Sequence, residues 1–315
     1  AGDQGLQVVD CTTIDTPAAI ASLPLSNEGQ ARKIFIQGNT AYLAHQWGGI
    51  QIVDISDPKN PEKLSPIDSL NSTQGDVSVN SDTIYVSAGW DENGTWNRGL
   101  LIFDAISQEL LGHYSVGTDG PWIQGLHVNG GYAYLAAGGD GVKVLDITDP
   151  GTPTLAGSVD TNGDARDVSV DGDQLYVADG WSGLAVIDIS DPASPQQIAQ
   201  KELNNFESTS VFAADGLAYL SDQNAGGFKC FDVHNPQALH IRTLAGANSS
   251  FGVCATPDHV YLASGDSGLE IFDIGASVQP RQVGQVLMKQ TRDMALSGDY
   301  AYVADGWNGF KIFDV

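Results

Sequence analysis

The strongest constraint on this chain is one short phrase that recurs along its whole length. In its clearest copy, residues 177–192, an apolar run leads into Gly180-Trp181, and a second apolar run ends at Asp188 before an Asp-Pro pair. The aspartate that ends the second run occurs eight times, each 41 to 50 residues after the one before: Asp10, Asp54, Asp104, Asp146, Asp188, Asp232, Asp273 and Asp314. A period of about 40–45 residues made of short strands and turns is typical of β-propeller blades.

The residue pattern inside the repeat predicts strands. Residues 167–170 and 174–177 alternate apolar and polar side chains and are rich in Val, Leu and Tyr. Such alternation indicates strands, and no stretch sustains a helical period. One repeat therefore reads as four strands, named a to d, at residues 167–170, 174–178, 184–189 and 196–200. Pro192 and Pro195 interrupt the connection from c to d, because proline cannot donate to a central ladder.

The number of repeats predicts the number of blades. Six complete repeats run from about residue 32 to about residue 287, with a c–d remnant before them and an a–b–c remnant after them. We expect an all-β, seven-bladed β-propeller of four-stranded antiparallel blades, forming a single domain over 1–315 and closed by strands from both termini. An eight-bladed ring would need a two-strand blade and is disfavoured. One strand is left over, because 6–10 and 310–314 both look like strand c.

The c strands also resemble a known repeat family. The phrases at residues 50–54 and 184–188, with the Asp-Pro-x-x-Pro that follows several copies, resemble the LVIVD-repeat family. This resemblance implies a β-propeller of secreted or cell-surface type, and it implies little chemistry. We therefore expect an extracellular, periplasmic or cell-surface location.

The charge balance limits the possible partners. The chain has 39 acidic and 14 basic residues, a formal net charge of −25. Such a protein repels phosphate backbones, so we expect no nucleic-acid partner; it favours cations, basic partners or simple solubility. No apolar run approaches the ~18 residues of a transmembrane helix. The three cysteines have no metal-type spacing, and they predict no disulfide framework.

Residues shared by every repeat are assigned to the fold, so function should lie where repeats differ. The position that ends strand b varies in this way: His45, Ala88, Ala137, Asp179, Asp222, Ser264 and Asp305. Its imidazole and three carboxylates are candidates for acid–base catalysis or for binding a hard cation such as calcium. The structural interpretation is that each aspartate caps the adjacent turn. No cofactor is predicted from the sequence.

A second variable position precedes strand a. Arg32, Arg166 and Arg292 occupy it, which is half of the six arginines in the chain. They could form a pocket for a carboxylate, a sulfate or an acidic sugar. Alternatively, each could pair with an aspartate of an adjacent blade.

Tryptophan is the third candidate. Trp47, Trp90, Trp181 and Trp307 share the b–c turn, Trp96 lies in a longer insertion there, and Trp122 lies in a d–a connection. Exposed tryptophans stack on sugars or act as hot spots for protein partners, but they could equally cover each blade's core.

Two function classes follow from these three features. The first is a binding or scaffolding module for a protein partner, a carbohydrate or a small anion, at the channel face that carries the b–c and d–a loops. The alternative is a lyase, hydrolase or isomerase at the channel mouth, with the residues that end strand b as its acid–base groups and the arginines holding an anionic substrate. A structural module of a larger assembly is a third reading.

Overall fold

The fold is all-β, as predicted. The computed structural model describes residues 6–10, 13–14, 16–23, 30–46, 48–67, 74–224, 226–246, 248–275, 280–305 and 310–314. Within these ranges lie twenty-nine strands and one short 3-10 helix, Pro236–Ala238. No helix of the described residues is long and apolar enough to cross a membrane.

The strands, in chain order, are β1 (Leu6–Asp10), β2 (Ala18–Leu23), β3 (Ala31–Gln37), β4 (Thr40–His45), β5 (Gly49–Asp54), β6 (Glu62–Lys63), β7 (Gln74–Asn80), β8 (Thr83–Glu92), β9 (Thr95–Asp104), β10 (Leu110–Gly117), β11 (Gly125–Asn129), β12 (Tyr132–Ala136), β13 (Val142–Asp146), β14 (Thr154–Val159), β15 (Asp167–Asp171), β16 (Gln174–Ala178), β17 (Leu184–Asp188), β18 (Gln196–Lys201), β19 (Ser208–Ala214), β20 (Leu217–Asp222), β21 (Gly227–Asp232), β22 (His240–Ala245), β23 (Gly252–Ala255), β24 (His259–Ala263), β25 (Leu269–Asp273), β26 (Arg281–Val286), β27 (Asp293–Ser297), β28 (Tyr300–Ala304) and β29 (Phe310–Asp314).

Six four-stranded antiparallel sheets form the blades of a β-propeller. They are β3–β6, β7–β10, β11–β14, β15–β18, β19–β22 and β23–β26, here called blades 1 to 6. In each blade the strands pair in sequence order, so a, b, c and d are neighbours. Strand c is central and buried on both faces, which explains its continuous apolar run: Leu184, Val186 and Ile187 of β17 are all fully buried.

The prediction of seven four-stranded blades is wrong. The structure shows six, and β1, β2, β27, β28 and β29 share one five-stranded sheet. The physical reason is that β1 and β29 align with the same partners in the same register. Val8 and Ile312 both lie opposite Ala21 of β2, and the aspartates that end the two strands both lie opposite Tyr300 of β28. Both β1 and β29 thus align with the place that strand c takes in a blade. Closure of the propeller by both termini stays a prediction.

The aspartate that ends strand c caps a turn, as expected. Asp188 Oδ1 accepts a hydrogen bond from the backbone N–H of Ser190 at 2.9 Å, and Asp54 Oδ1 accepts one from Ser56 at 2.8 Å. These backbone hydrogen bonds lower the pKa of both carboxyl groups. The repeated aspartate therefore belongs to the fold.

A second aspartate, at the start of strand a, joins successive blades. Asp167 Oδ2 of β15 accepts hydrogen bonds from Ser210 Oγ at 2.7 Å and from the N–H of Val211 at 3.2 Å, both on β19. Between β7 and β11, Asp76 accepts a 2.8 Å bond from Leu126 N–H. Glycine is needed opposite such an aspartate: a Cβ on Gly125 would lie 2.6 Å from the Cα of Asp167.

The chain divides into two compact units. Unit 1 comprises Ala1–Gln74, Ala225–Phe228 and Thr243–Val315; unit 2 comprises Gly75–Asn224 and Lys229–Arg242. Unit 1 contains blades 1 and 6 and the five-stranded sheet, and unit 2 contains blades 3 and 4, blade 2 from Gly75 onward, and β19 and β20. The predicted single domain over 1–315 stays a prediction.

Candidate functional site

In each unit the d–a connection of one blade contacts the b–c turn of the blade before it. In unit 2, Ser208 Oγ donates to the carbonyl oxygens of Gly180 and Gly183, at 2.9 and 2.8 Å. In unit 1, Thr291 Oγ1 donates to Gly265 O at 2.9 Å. The b–c and d–a loops of neighbouring blades therefore lie together, so the variable residues they carry share a surface within each unit.

The carboxylates that end strand b in unit 2 are buried beneath this surface. Asp179 is fully buried, and its Oδ1 accepts a 2.7 Å hydrogen bond from Thr161 Oγ1. Burial outweighs the hydrogen bonds that it accepts and raises the pKa of Asp179 to about 6. Asp222 Oδ1 accepts bonds from the N–H groups of Glu207 and Asn224, each at 2.9 Å. Both aspartates thus accept hydrogen bonds from residues of the neighbouring loops. These hydrogen bonds favour the capping interpretation.

The corresponding side chains of unit 1, His45 and Asp305, are also almost fully buried. Within the described ranges, no group of three or more His, Cys, Asp or Glu side chains is arranged to hold a metal ion. A catalytic role for these residues and for the two aspartates of unit 2 stays a prediction.

The arginines that precede strand a differ in their surroundings. Arg166 Nη2 lies 2.6 Å from Glu207 Oε1, and its Nε lies 3.2 Å from Asp164 Oδ2. Glu207 leads into the next blade, so Arg166 forms the inter-blade ion pair of the structural alternative. Two carboxylates already neutralise its charge.

Arg32 and Arg292, in unit 1, lie close enough to influence each other. Desolvation, and then the positive charge of Arg292, lower the pKa of the Arg32 guanidinium. The Arg292 guanidinium lies over the Phe251 ring, 4.5 Å from its centroid. Within the described part of the chain, no salt bridge to a carboxylate involves either arginine.

The tryptophans fall into two groups. Trp90 is buried, with the His113 ring edge-on at 5.4 Å between centroids, so it packs in blade 2 rather than facing a ligand. Trp122 and Trp181 are 43% and 59% exposed. Trp47 and Trp307 lie outside the described residues.

Trp122 belongs to an aromatic cluster that the sequence did not reveal. It and Trp96 come within 3.1 Å and 2.9 Å of the place where a Cβ of Gly89 would be. The Arg98 guanidinium lies over the Trp122 ring at 4.4 Å and donates through Nη1 to Gly120 O at 2.6 Å. The one available signal was the wider spacing of this repeat, because β8 and β9 extend into a long hairpin.

The loops around Trp122 and Trp181 are strongly acidic. The b–c and d–a loops of unit 2, with these two tryptophans, are here called the acidic loop face. Its exposed carboxylates are those of Asp91, Glu92, Asp119, Asp140, Asp160 and Glu202. Its arginines are engaged with other groups, Arg98 with Gly120 O and Arg166 with carboxylates. A negative potential beside exposed indole rings is suited to cationic ligands.

Two solved structures resemble the fold of this chain. The computationally designed Ika8 protein has a TM-score of 0.71 and 13% identity, over 100% of this chain and 92% of that chain. A chain from the structure of the Mitotic Checkpoint Complex has a TM-score of 0.74 and 13% identity, over 92% and 90%. At this identity the likeness concerns the fold alone. No curated protein matches the sequence.

A family model matches four segments of the chain. The model described as LVIVD repeat matches residues 28–65, 123–161, 162–200 and 289–315. The chain therefore carries LVIVD repeats at four places, consistent with the family that its c strands resemble.

Proposed function

We propose that this protein is a secreted or cell-surface binding module, and that its acidic loop face binds a basic protein partner. The observation that carries the proposal is the exposure of Trp122 and Trp181, 43% and 59%, among exposed carboxylates. Large aromatic rings left exposed to water among carboxylates are unusual in a surface that serves only the fold.

The chemistry of this face supports a cationic ligand over an anionic one. The Arg98 guanidinium already lies over the Trp122 ring, which shows that this ring forms cation–π contacts, and the Trp181 ring is 59% exposed. Lysine and arginine side chains of a partner would gain cation–π contact with the indoles and Coulomb attraction from the carboxylates. The overall charge of −25 would also speed the approach of a basic partner.

The experiment is a titration with a defined cationic probe. Fluorescently labelled octalysine is titrated into the wild-type protein, into Trp122→Ala and into Trp181→Ala, at low ionic strength. We expect each substitution to weaken binding by about tenfold. Ile106→Ala is the matched control, because this side chain is 79% exposed on the c–d turn of the same unit.

Three results would overturn the proposal. One is the absence of octalysine binding to the wild-type protein. Another is equal binding by the two tryptophan variants and the wild type. The third is tighter binding of octaglutamate than of octalysine. Added salt should weaken binding steeply, since the ligand is recognised by charge.

A further inference from the structure

The three arginines that precede strand a are equivalent in the repeat, and their neighbours can be compared position by position. Asp167, which follows Arg166, accepts a hydrogen bond from Val211 N–H of the next blade at 3.2 Å. Asp293, which follows Arg292, accepts one from Ile34 N–H of β3 at 3.1 Å. In unit 1, β27 and β3 are therefore related as β15 and β19 are in unit 2.

Arg166 forms ion pairs with Asp164 and Glu207, and the equivalent residues near Arg292 can be identified from the repeat. Asp164 lies two residues before Arg166, and the equivalent residue before Arg292 is Gln290. In the blade that follows Arg166, Thr209 occupies the position before strand a, and Glu207 lies two residues before it. In the blade that follows Arg292, Arg32 occupies that position, and Gln30 lies two residues before it. Both carboxylates are thus replaced by glutamine. Thr209, which is neutral, is replaced by a second arginine.

The result is a pair of guanidiniums for which the described part of the chain provides no salt bridge to a carboxylate. Asp266 has an electrostatic effect on Arg292; its carboxylate is exposed and accepts a hydrogen bond from Gln290 N–H at 3.2 Å. Arg32 has no such carboxylate partner among the described residues. Two guanidiniums near each other repel, and an anion that bridges them relieves this repulsion.

The surroundings also fix the orientation of the pair. Arg292 is held on the Phe251 ring at 4.5 Å, which leaves the edges of its planar guanidinium available for hydrogen bonds. Arg32 sits where the register between β3 and β4 shifts, between Ala31 and Lys33. Such a bulge turns a side chain out of the regular strand direction.

The geometry points to an oxyanion-binding site in unit 1, formed by Arg32 and Arg292 with the amides of Gln30 and Gln290. The ligand is a carboxylate or sulfate group, because two guanidinium forks and amide N–H donors match planar or tetrahedral oxyanions. The residues of this site belong to unit 1 and those of the acidic loop face to unit 2, and the two bind ligands of opposite charge. Arg166 is excluded from it, since its donors are already paired with Glu207 and Asp164.

The test measures thermal unfolding in sodium sulfate, sodium succinate and sodium chloride at matched ionic strength. At millimolar concentrations, too low for the general stabilising effect of sulfate, sulfate or succinate should raise the Tm of the wild-type protein above its value in chloride, because a ligand that binds only the folded state stabilises it. Arg32→Gln and Arg292→Gln should each weaken the affinity measured by calorimetry by about tenfold or more. Arg166→Gln is the matched control and should keep the full anion effect.

Two further readouts separate anion binding from a structural role. In chloride alone, Arg166→Gln should lower the Tm because it breaks an ion pair, whereas Arg32→Gln should leave it unchanged or raise it. The double variant Gln30→Glu/Gln290→Asp keeps both arginines and restores the carboxylates of the Arg166 environment. It should abolish the sulfate and succinate shifts.

The proposal is overturned if the glutamine double variant retains the shifts, if Arg166→Gln loses them as Arg292→Gln does, or if neither oxyanion shifts the wild-type Tm. A response to sulfate alone would identify sulfate esters as the ligand class, and a response to succinate alone would identify carboxylates. Octalysine binding is measured on the same variants, and it should be unaffected by them.

Discussion

The buried carboxyl group of Asp179 should make the stability of this protein fall as the pH rises. Burial raises its pKa from 3.8 to about 6, so below that pH the folded protein holds a neutral acid. Above it, the folded protein must hold a buried charge that the unfolded chain would leave in water. The change from 3.8 to about 6 corresponds to about 3 kcal/mol of unfolding free energy, lost between about pH 4 and about pH 6.

Asp179→Asn removes this titration and keeps the size of the side chain. Urea unfolding of both proteins from about pH 4 to about pH 7.5 gives the difference in unfolding free energy at each pH. We expect the stability of the wild type relative to the variant to fall by up to about 3 kcal/mol across this range. The slope is the predicted quantity, because an amide also alters the contact with Gln200, which lies 3.5 Å from Asp179 Oδ2. A difference that stays constant with pH, or that rises, would refute the reasoning.

Three further predictions concern the fold. Asp167→Ala should lower the free energy of unfolding in urea by about 2–3 kcal/mol, because it leaves two donors of the next blade without an acceptor. A decrease under about 0.5 kcal/mol would contradict the inter-blade role. Gly125→Ala should lower the free energy of unfolding by about 1–3 kcal/mol, because the new Cβ clashes with Asp167. Gly139→Ala, whose new Cβ has nothing within 4 Å, should lower it far less, and equal decreases would refute the role of Gly125. Val8→Pro and Ile312→Pro should each leave the free energy of unfolding nearly unchanged, and their combination should lower it strongly, because β1 and β29 share one register on β2. Additive effects in a double-mutant cycle would argue against interchangeable strands.

The sequence was sufficient to predict the blade, because each blade repeats the same physical requirements. The apolar c run, the turn-capping aspartate and the paired prolines each have a local cause visible in residues 184–195. The number of blades had no such local cause. Residues 6–10 and 310–314 are equally good c strands, and only the pairing registers show that both align with a single position.

The candidate site was less predictable, since it depends on contacts between repeats. The three arginines share one position in the sequence, and the local difference is Asp164, two residues before Arg166, where the other two arginines have glutamine. The second difference is Glu207, more than 40 positions away along the chain, which becomes a neighbour only through blade packing. Burial of Asp179 and Asp222 was likewise hidden, because a short polar side chain after a strand looks the same whether it caps a buried turn or faces a ligand.

The most direct test of the proposed function is hydrogen–deuterium exchange of the full chain with and without octalysine. The proposal predicts slower amide exchange in the b–c and d–a loops of unit 2, at residues 118–124, 160–166 and 180–183. Exchange in the c–d turns at residues 105–109 and 147–153 should not change. Protection confined to those c–d turns, or no protection anywhere in unit 2, would contradict a binding module that uses the acidic loop face.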